Sequence, residues 1–322
     1  MLFRSDQKGQ TEQTRILAYT IDYAAQLPAD VGLEYAYKGI FGGYKGLFSA
    51  PPYYLKVQGY RDIENRDMWE YQLNLTAQQT DRLIMHAWEL GNAYFDYFFF
   101  KENCSYHILS LLEYANPALH LRDHFYLWTI PADTVRIVMA QPGMVGRVTY
   151  RPSRSTLIKR KREILDVEER KVLGRLMDHP GVVQDSAFTK MSLSRRALVL
   201  DVASDFLRYK GESDDPEVKI YKERNRQILL ERSRLKVPSA ETEIRPYTKQ
   251  PDAGHQTSRV GLGAGWRNHD SFEELSVRAA YHDLLDPEEG YTPDAQIEML
   301  GLALRHYNQS EQVRLDRATL VN

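Results

Sequence analysis

Between residues 15 and 75 the apolar positions fall in short runs broken by glycine and proline. RILAYTIDYAA, residues 15–25, sets Ile16 and Ala18 against Leu17, Tyr19, Ile21 and Tyr23, which predicts a largely buried strand. KGIFGGYKGLFSAPPYYLKVQGY reads as a loop rich in glycine, proline and aromatics that ends in a strand at 53–57. In WEYQLNL the alternation of Trp69, Tyr71, Leu73 and Leu75 with polar residues predicts a half-exposed strand. Thr76 and Gln79 then form a capping box before a periodic segment, 77–91, with Leu83, Ala87 and Leu90 on one face. The dense aromatics of YFDYFFF, 94–100, favour an extended segment. A second helix follows from Cys104 and stops at Asn116-Pro117.

Beyond Pro152 the period is helical. RSTLIKRKREILDVEERKVLGRLM, SAFTKMSLSRRALVLDVASDFLRYK and PEVKIYKERNRQILLERSRLKV are charged and separated by Pro, Gly and Asp. Acidic residues follow the basic run at 159–162 within a turn or two, so a solvated helix face is expected over a membrane-binding patch. After Pro251 the period becomes two, through SRVGLGAGW, ELSVRAAYHDL, AQIEMLGLALRHY and EQVRLDRATLVN. Each segment has about the 9 to 11 residues of a tilted membrane strand, although roughly eight strands are needed to close such a barrel. Part of an outer-membrane barrel and a small antiparallel sheet both fit. The chain thus reads as α+β, with parts at 1–150, 151–250 and 251–322.

A formal charge of -2 removes nucleic acid from the expected partners. The single cysteine forms no internal disulfide, and the nine histidines are too scattered to show a metal motif, so no metal and no cofactor are expected. MLFRSDQKGQTEQTR has neither an apolar export core nor a cleavage site, and no run nears the roughly 18–20 apolar residues of a spanning helix. Either the protein is cytosolic or its export signal lies outside the sequence.

The chemistry gathers at FFFKENCSYHILSLLE, residues 98–113. With Asn103 as N-cap, Cys104 opens a helix where unpaired N–H groups and the helix dipole favour a thiolate. The same N–H groups could stabilise an oxyanion. Cys104, Ile108, Leu111 and Ala115 share a face. Free cysteine is also among the residues most often buried, and a nucleophile needs a base. His107, one turn on, projects roughly parallel to the thiol; His86 reads as structural, and His120 and His124 are weak alternatives.

GIFGGYKGLFSAPPYYLKVQGY, RDMWEYQLNLT, HAWEL and FFFKENCSYHILSLLE, in this order, closely resemble the Lnb N-terminal periplasmic domain family over roughly residues 1–150. The resemblance implies an envelope protein of a Gram-negative bacterium, in the periplasm or at the outer membrane. It also implies a permuted papain-like (NlpC-like) domain in which Cys104 is the nucleophile. The implied activity is acyl transfer, with lipid or lipoprotein as substrate, since family members are implicated in lipoprotein N-acylation by a cysteine mechanism. Asn103 would orient the thiol, with Glu102 and His107 as neighbours of unassigned role. Family members carry a glycine-histidine pair just ahead of the strand that begins MLFRSDQ, so the chain is expected to be truncated there, lacking its catalytic histidine, and truncated at its other end as well, where the strands are unfinished. The segments after residue 251 resemble the barrel-like region that follows this domain in proteobacterial members. Two further readings stand beside acyl transfer: a non-catalytic protein anchored in the outer membrane, and a cysteine amidase or peptidase acting on cell-wall peptide.

Overall fold

A pair of threonines sets where the first long strand begins. In the computed structural model, which describes residues 2–5, 10–11, 14–27, 32–212, 216–239, 242–291 and 295–321, the Thr11 N–H donates to Thr14 Oγ1 at 2.8 Å and the Thr14 N–H to Thr11 Oγ1 at 3.3 Å. These side chains offer the backbone a local turn in place of a strand ladder. Residues Arg15–Leu17 accordingly form one turn of 3-10 helix, and the strand expected from residue 15 starts at Tyr19.

The chain divides into two compact units. One comprises Met1–Tyr53, Tyr71–Arg147 and Tyr247–Asn322, the other Tyr54–Glu70 and Val148–Pro246. In chain order the first elements are β1 (Leu2–Ser5), β2 (Tyr19–Gln26), α1 (Leu33–Phe41), β3 (Tyr44–Ser49), α2 (Tyr53–Val57), β4 (Met68–Leu73), α3 (Ala77–Glu89), β5 (Tyr94–Tyr97), α4 (Cys104–Ala115), α5 (Pro131–Ala140) and β6 (Val145–Arg151).

Two sequence expectations fail between residues 38 and 57. The expected loop contains the end of α1 and all of β3, where Tyr44, Gly46 and Phe48 turn inward with a period of two. Residues 53–57 form a helical turn where a strand was expected. Pro52 immediately precedes it, and the buried Tyr53 and Val57 lie four apart with exposed Tyr54 and Leu55 between them.

The first sheet is antiparallel, in the order β1-β2-β3-β5. Tyr23 and Phe48, paired across β2 and β3, belong to a core with Leu109, Leu111 and Leu112 of α4, Leu83 and Ala87 of α3, and Val138 of α5. Ile108, Leu109, Leu111 and Leu112 are each at most 1 % exposed. Burial of such a side chain contributes about 1.5–3 kcal/mol, against about 1 kcal/mol for a helix cap. Packing therefore holds α4 in place, and the cap fixes where it starts. The capping box of Thr76 and Gln79 is formed as expected.

The second unit carries α6 (Arg154–Glu163), α7 (Val167–Asp178), α8 (Ser186–Thr189), α9 (Leu193–Lys210) and α10 (Val218–Arg234). Their shared core includes Leu165, Val172, Leu176, Leu200, Leu207 and Ile228. In the basic run, Arg160 pairs with Glu163 at 2.8 Å and Lys161 with Asp205 at 2.7 Å.

The C-terminal strands β7 (Arg259–Arg267), β8 (Asp270–His282), β9 (Ile297–Tyr307) and β10 (Gln312–Val321) form an antiparallel meander in the order β10-β9-β8-β7. Among the described residues this sheet does not close into a barrel. Its register aligns Leu262, Leu275, Leu304 and Leu315 in one row and Val260, Val277 and Leu302 in another, all exposed. The opposite face carries charge: Arg305 bridges Glu274 at 2.8 Å and Asp316 at 2.7 Å.

Gly46 is a packing requirement of the first sheet, because a Cβ there would overlap the Tyr23 hydroxyl. Gly46→Ala should lower unfolding free energy by about 1–3 kcal/mol, the usual cost of overpacking, measured by urea denaturation. An unchanged transition midpoint would show that the Tyr23 ring can move aside.

Candidate active site

Asn103 is only 3 % exposed and has its side-chain hydrogen bonds distributed over three pieces of chain. Its Oδ1 accepts from the backbone N–H of Ser105 and Tyr106 and from the Ser105 hydroxyl, at 3.1, 3.3 and 2.8 Å. Its Nδ2 donates to the carbonyls of Phe99 and Thr129, at 3.1 and 2.6 Å. Asn103 is therefore the N-cap of α4, as expected, and also ties the helix start to the strand exit at Phe99 and to the loop at Thr129.

Cys104 follows as the first helical residue, half-buried against the core shared with β2, β3 and α3. Its backbone N–H, expected to be free for an oxyanion, donates instead to the Tyr97 hydroxyl at 3.2 Å. The His107 N–H donates to the Asn103 carbonyl at 3.2 Å. The first turn of α4 is thus fully hydrogen-bonded, and an acyl oxygen would have to displace Tyr97 from the Cys104 N–H.

Tyr97 is the residue that reading for acids, bases and nucleophiles overlooks. Its signal is the alternation in YFDY, where Phe95 and Tyr97 turn toward the core and Tyr94 and Asp96 do not. Burial, together with the adjacent Cys104 sulfur, pushes the Tyr97 phenol well above its ordinary range. Tyr23 stacks on Tyr97 with ring centroids 5.9 Å apart. Its phenol is also pushed up, first by burial and then by the nearby charges of Glu102, Asp96 and Cys104. Both phenols stay protonated at neutral pH, so they can donate hydrogen bonds beside the thiol but cannot serve there as bases. Glu102 adds negative charge to this surround, and its carbonyl accepts from the Phe98 N–H at 3.5 Å.

His107 is 8 % exposed and lies against Tyr23, Phe95 and Phe48, with ring centroids 4.2, 5.1 and 6.3 Å away. Burial, and secondarily the Arg122 guanidinium, lowers its pKa to about 4, so the ring is neutral at physiological pH. Its Nε2 has no hydrogen-bond partner among the described residues. His107 lines a cleft of about 720 Å³ with His86, Ser110, Glu113, His120 and Arg122, and Cys104 is not part of that lining. His86 stacks on Tyr114 at 3.8 Å, and the exposed His120 lies 3.5 Å from Asp123. Among the described residues, no histidine hydrogen-bonds the thiol.

The His107 shift links stability to pH. The unfolded chain takes up this proton near the ordinary value of 6.5 and the folded chain only near 4. Stability should fall as pH drops from about 6.5 to about 4, by at most about 3 kcal/mol at 1.36 kcal/mol per unit. His107→Phe should remove that part of the acid slope in thermal melts across this range; an identical slope in both proteins would contradict it.

Residues 1–141 match the family model described as Lnb N-terminal periplasmic domain. Residues 148–244 and 248–322 match two families each described as a domain of unknown function, DUF7842 and DUF7840. No curated protein and no solved structure matches the chain. A periplasmic or envelope location fits the first family, and none of the described helices is long and apolar enough to cross a membrane. By these matches, residues 1–141 are similar to the Lnb N-terminal periplasmic domain, and the rest of the chain to two domains of unknown function.

Proposed function

We propose that the protein is a cell-envelope acyltransferase that uses Cys104 as its nucleophile on lipid or lipoprotein acyl groups. The observation that carries this reading is Cys104 itself, at the first position of a helix whose start is fixed by a buried asparagine and whose side packs on a β-sheet. That arrangement is the one expected of a permuted papain-like thiol enzyme. In the first step the sulfur attacks the ester carbonyl, the carbon–oxygen bond breaks, and the thiol proton leaves with the departing alcohol. In the second, an amine attacks the thioester, an amide forms and the thiol is restored. The Tyr97 hydroxyl, protonated and next to both sulfur and helix N–H, is suited to donate a hydrogen bond to the developing oxyanion.

One observation favours the rival reading of a non-catalytic, membrane-anchored protein: the Cys104 N–H already has a partner. Both readings share a membrane-facing C-terminal sheet. What supports that sheet as an outer-membrane anchor is its polarity, with aliphatic rows exposed on one face and the Glu274–Arg305–Asp316 network on the other. Soluble antiparallel sheets expose the polar face, and barrel strands present the apolar one to lipid.

Purified protein incubated with phospholipid vesicles should carry a hydroxylamine-labile acyl group on the Cys104 peptide, read by mass spectrometry. Cys104→Ala should lower amine acylation by at least about 10³-fold. Iodoacetamide should label Cys104 in the folded protein. Absence of the adduct together with no labelling of Cys104 in the folded protein would leave only the anchor reading. For the sheet, the wild-type protein should float with liposomes in a density gradient. Leu304→Arg should reduce the bound fraction by about 10-fold or more, since a cation on a lipid-facing strand costs about 2–4 kcal/mol at mid-bilayer. Equal flotation of the two proteins would place the membrane contact elsewhere.

A further inference from the structure

Outside the thiol site, the C-terminal sheet brings together three metal-ligating side chains that are scattered in sequence. His255 precedes β7, His282 ends β8, and Asp286 lies in the turn after it. One ligand atom from each falls within 4.8 Å of the others. His282 is buried, at 3 % exposure, and His255 and Asp286 are half-buried, with side chains 19 % and 9 % exposed. His255 Nδ1 lies 2.7 Å from the Gln256 carbonyl. A carbonyl only accepts, so Nδ1 carries the proton and Nε2 presents its lone pair inward. His282 Nδ1 stands 2.9 Å from that Nε2, and an Asp286 oxygen 3.8 Å from it.

We propose that His255 Nε2, His282 Nδ1 and Asp286 Oδ2 form a binding site for a divalent transition-metal ion, with zinc as the best match to two imidazoles and one carboxylate. Ligand atoms on a tetrahedral zinc ion at about 2.0–2.1 Å are about 3.3 Å apart. The histidine nitrogens need only part slightly to admit it, and Asp286 to close in. On binding, the proton that His282 shares toward His255 moves off Nδ1, its other ring nitrogen carrying the N–H of the neutral ring.

The surround already has the character of an outer ligand shell. Tyr291 stacks on both imidazoles, at 4.4 and 4.3 Å, and fixes their planes. The His255 carbonyl is held by Arg136 of α5 at 2.5 Å and by the Tyr291 hydroxyl at 2.8 Å. Asp286 Oδ2 accepts from Arg278 at 2.6 Å and from the Asp283 N–H at 3.0 Å, the kind of support that orients ligating carboxylates. Arg278 and Arg259 oppose a cation electrostatically, and Asp283 and Asp286 offset them in charge. Affinity should therefore be micromolar, weaker than that of a closed structural zinc site. Three protein ligands leave a fourth position for water or a substrate oxygen.

The test is isothermal titration of the intact, chelator-treated protein with zinc chloride, with cobalt(II) as a spectroscopic substitute. One equivalent of zinc should bind and raise Tm, and cobalt should give the visible bands of a four-coordinate ion. His255→Gln and His282→Phe, each checked for a cooperative melt, should abolish that equivalent, whereas His86→Gln should retain it. No saturable binding to the wild-type protein would overturn the site. So would binding that survives the two histidine substitutions. Because the readouts are binding, melting and colour, they are independent of any reaction at Cys104.

Discussion

The candidate site depends on the buried carboxamide of Asn103. A side chain with one acceptor oxygen and two donor hydrogens is matched to three pieces of chain that have no other reason to meet: the exit of β5, the first turn of α4 and the loop before α5. An aspartate there could accept from the helix but could not donate to the carbonyls of Phe99 and Thr129. Removing the amide would leave several buried groups unpaired, each costing about 1–3 kcal/mol. Leucine burial on α4 holds the helix against the sheet, and the asparagine determines which residue stands at its tip.

Local chemistry made part of this arrangement legible. Thr76 with Gln79, and Asn103 ahead of Cys104, announce helix starts because a capping side chain acts within three residues. The period-two segments after residue 251 became strands for an equally local reason. What could not be read directly was decided by partners far away in sequence. Residues 53–57 have strand-like composition but follow Pro52 and bury Tyr53 and Val57 on one helical face. The glycines before them look like loop residues, yet Gly39 leaves room for the Phe99 ring and Gly46 for the Tyr23 hydroxyl. Tyr97 carries no motif, and its place on the Cys104 N–H follows only from the pairing of β5 with β3.

The two histidine clusters show how environment separates identical side chains. His107 is surrounded by aromatic rings and loses its proton affinity to burial. His255 and His282 face one another beside carboxylates, with lone pairs and protons set by a backbone carbonyl. The first is suited to a fixed neutral packing role, and the second presents ring nitrogens to one another and to a carboxylate. Neither role is visible in the spacing of histidines along the chain.

Arg136 has a consequence for how the protein is made. It lies on α5, inside the N-terminal family region, and its guanidinium grips the carbonyl of His255 more than a hundred positions later in the chain. The compact unit that holds Cys104 likewise includes residues from Tyr247 onward. A chain emerging from a ribosome or a translocon cannot complete that unit when the first domain is out. The helical stretch between must be synthesised while the earlier surface waits for its last strands. Maturation of the thiol-bearing unit is thereby tied to synthesis of residues from Tyr247 onward, and a product terminated before them would display an unfinished surface to the quality-control proteases.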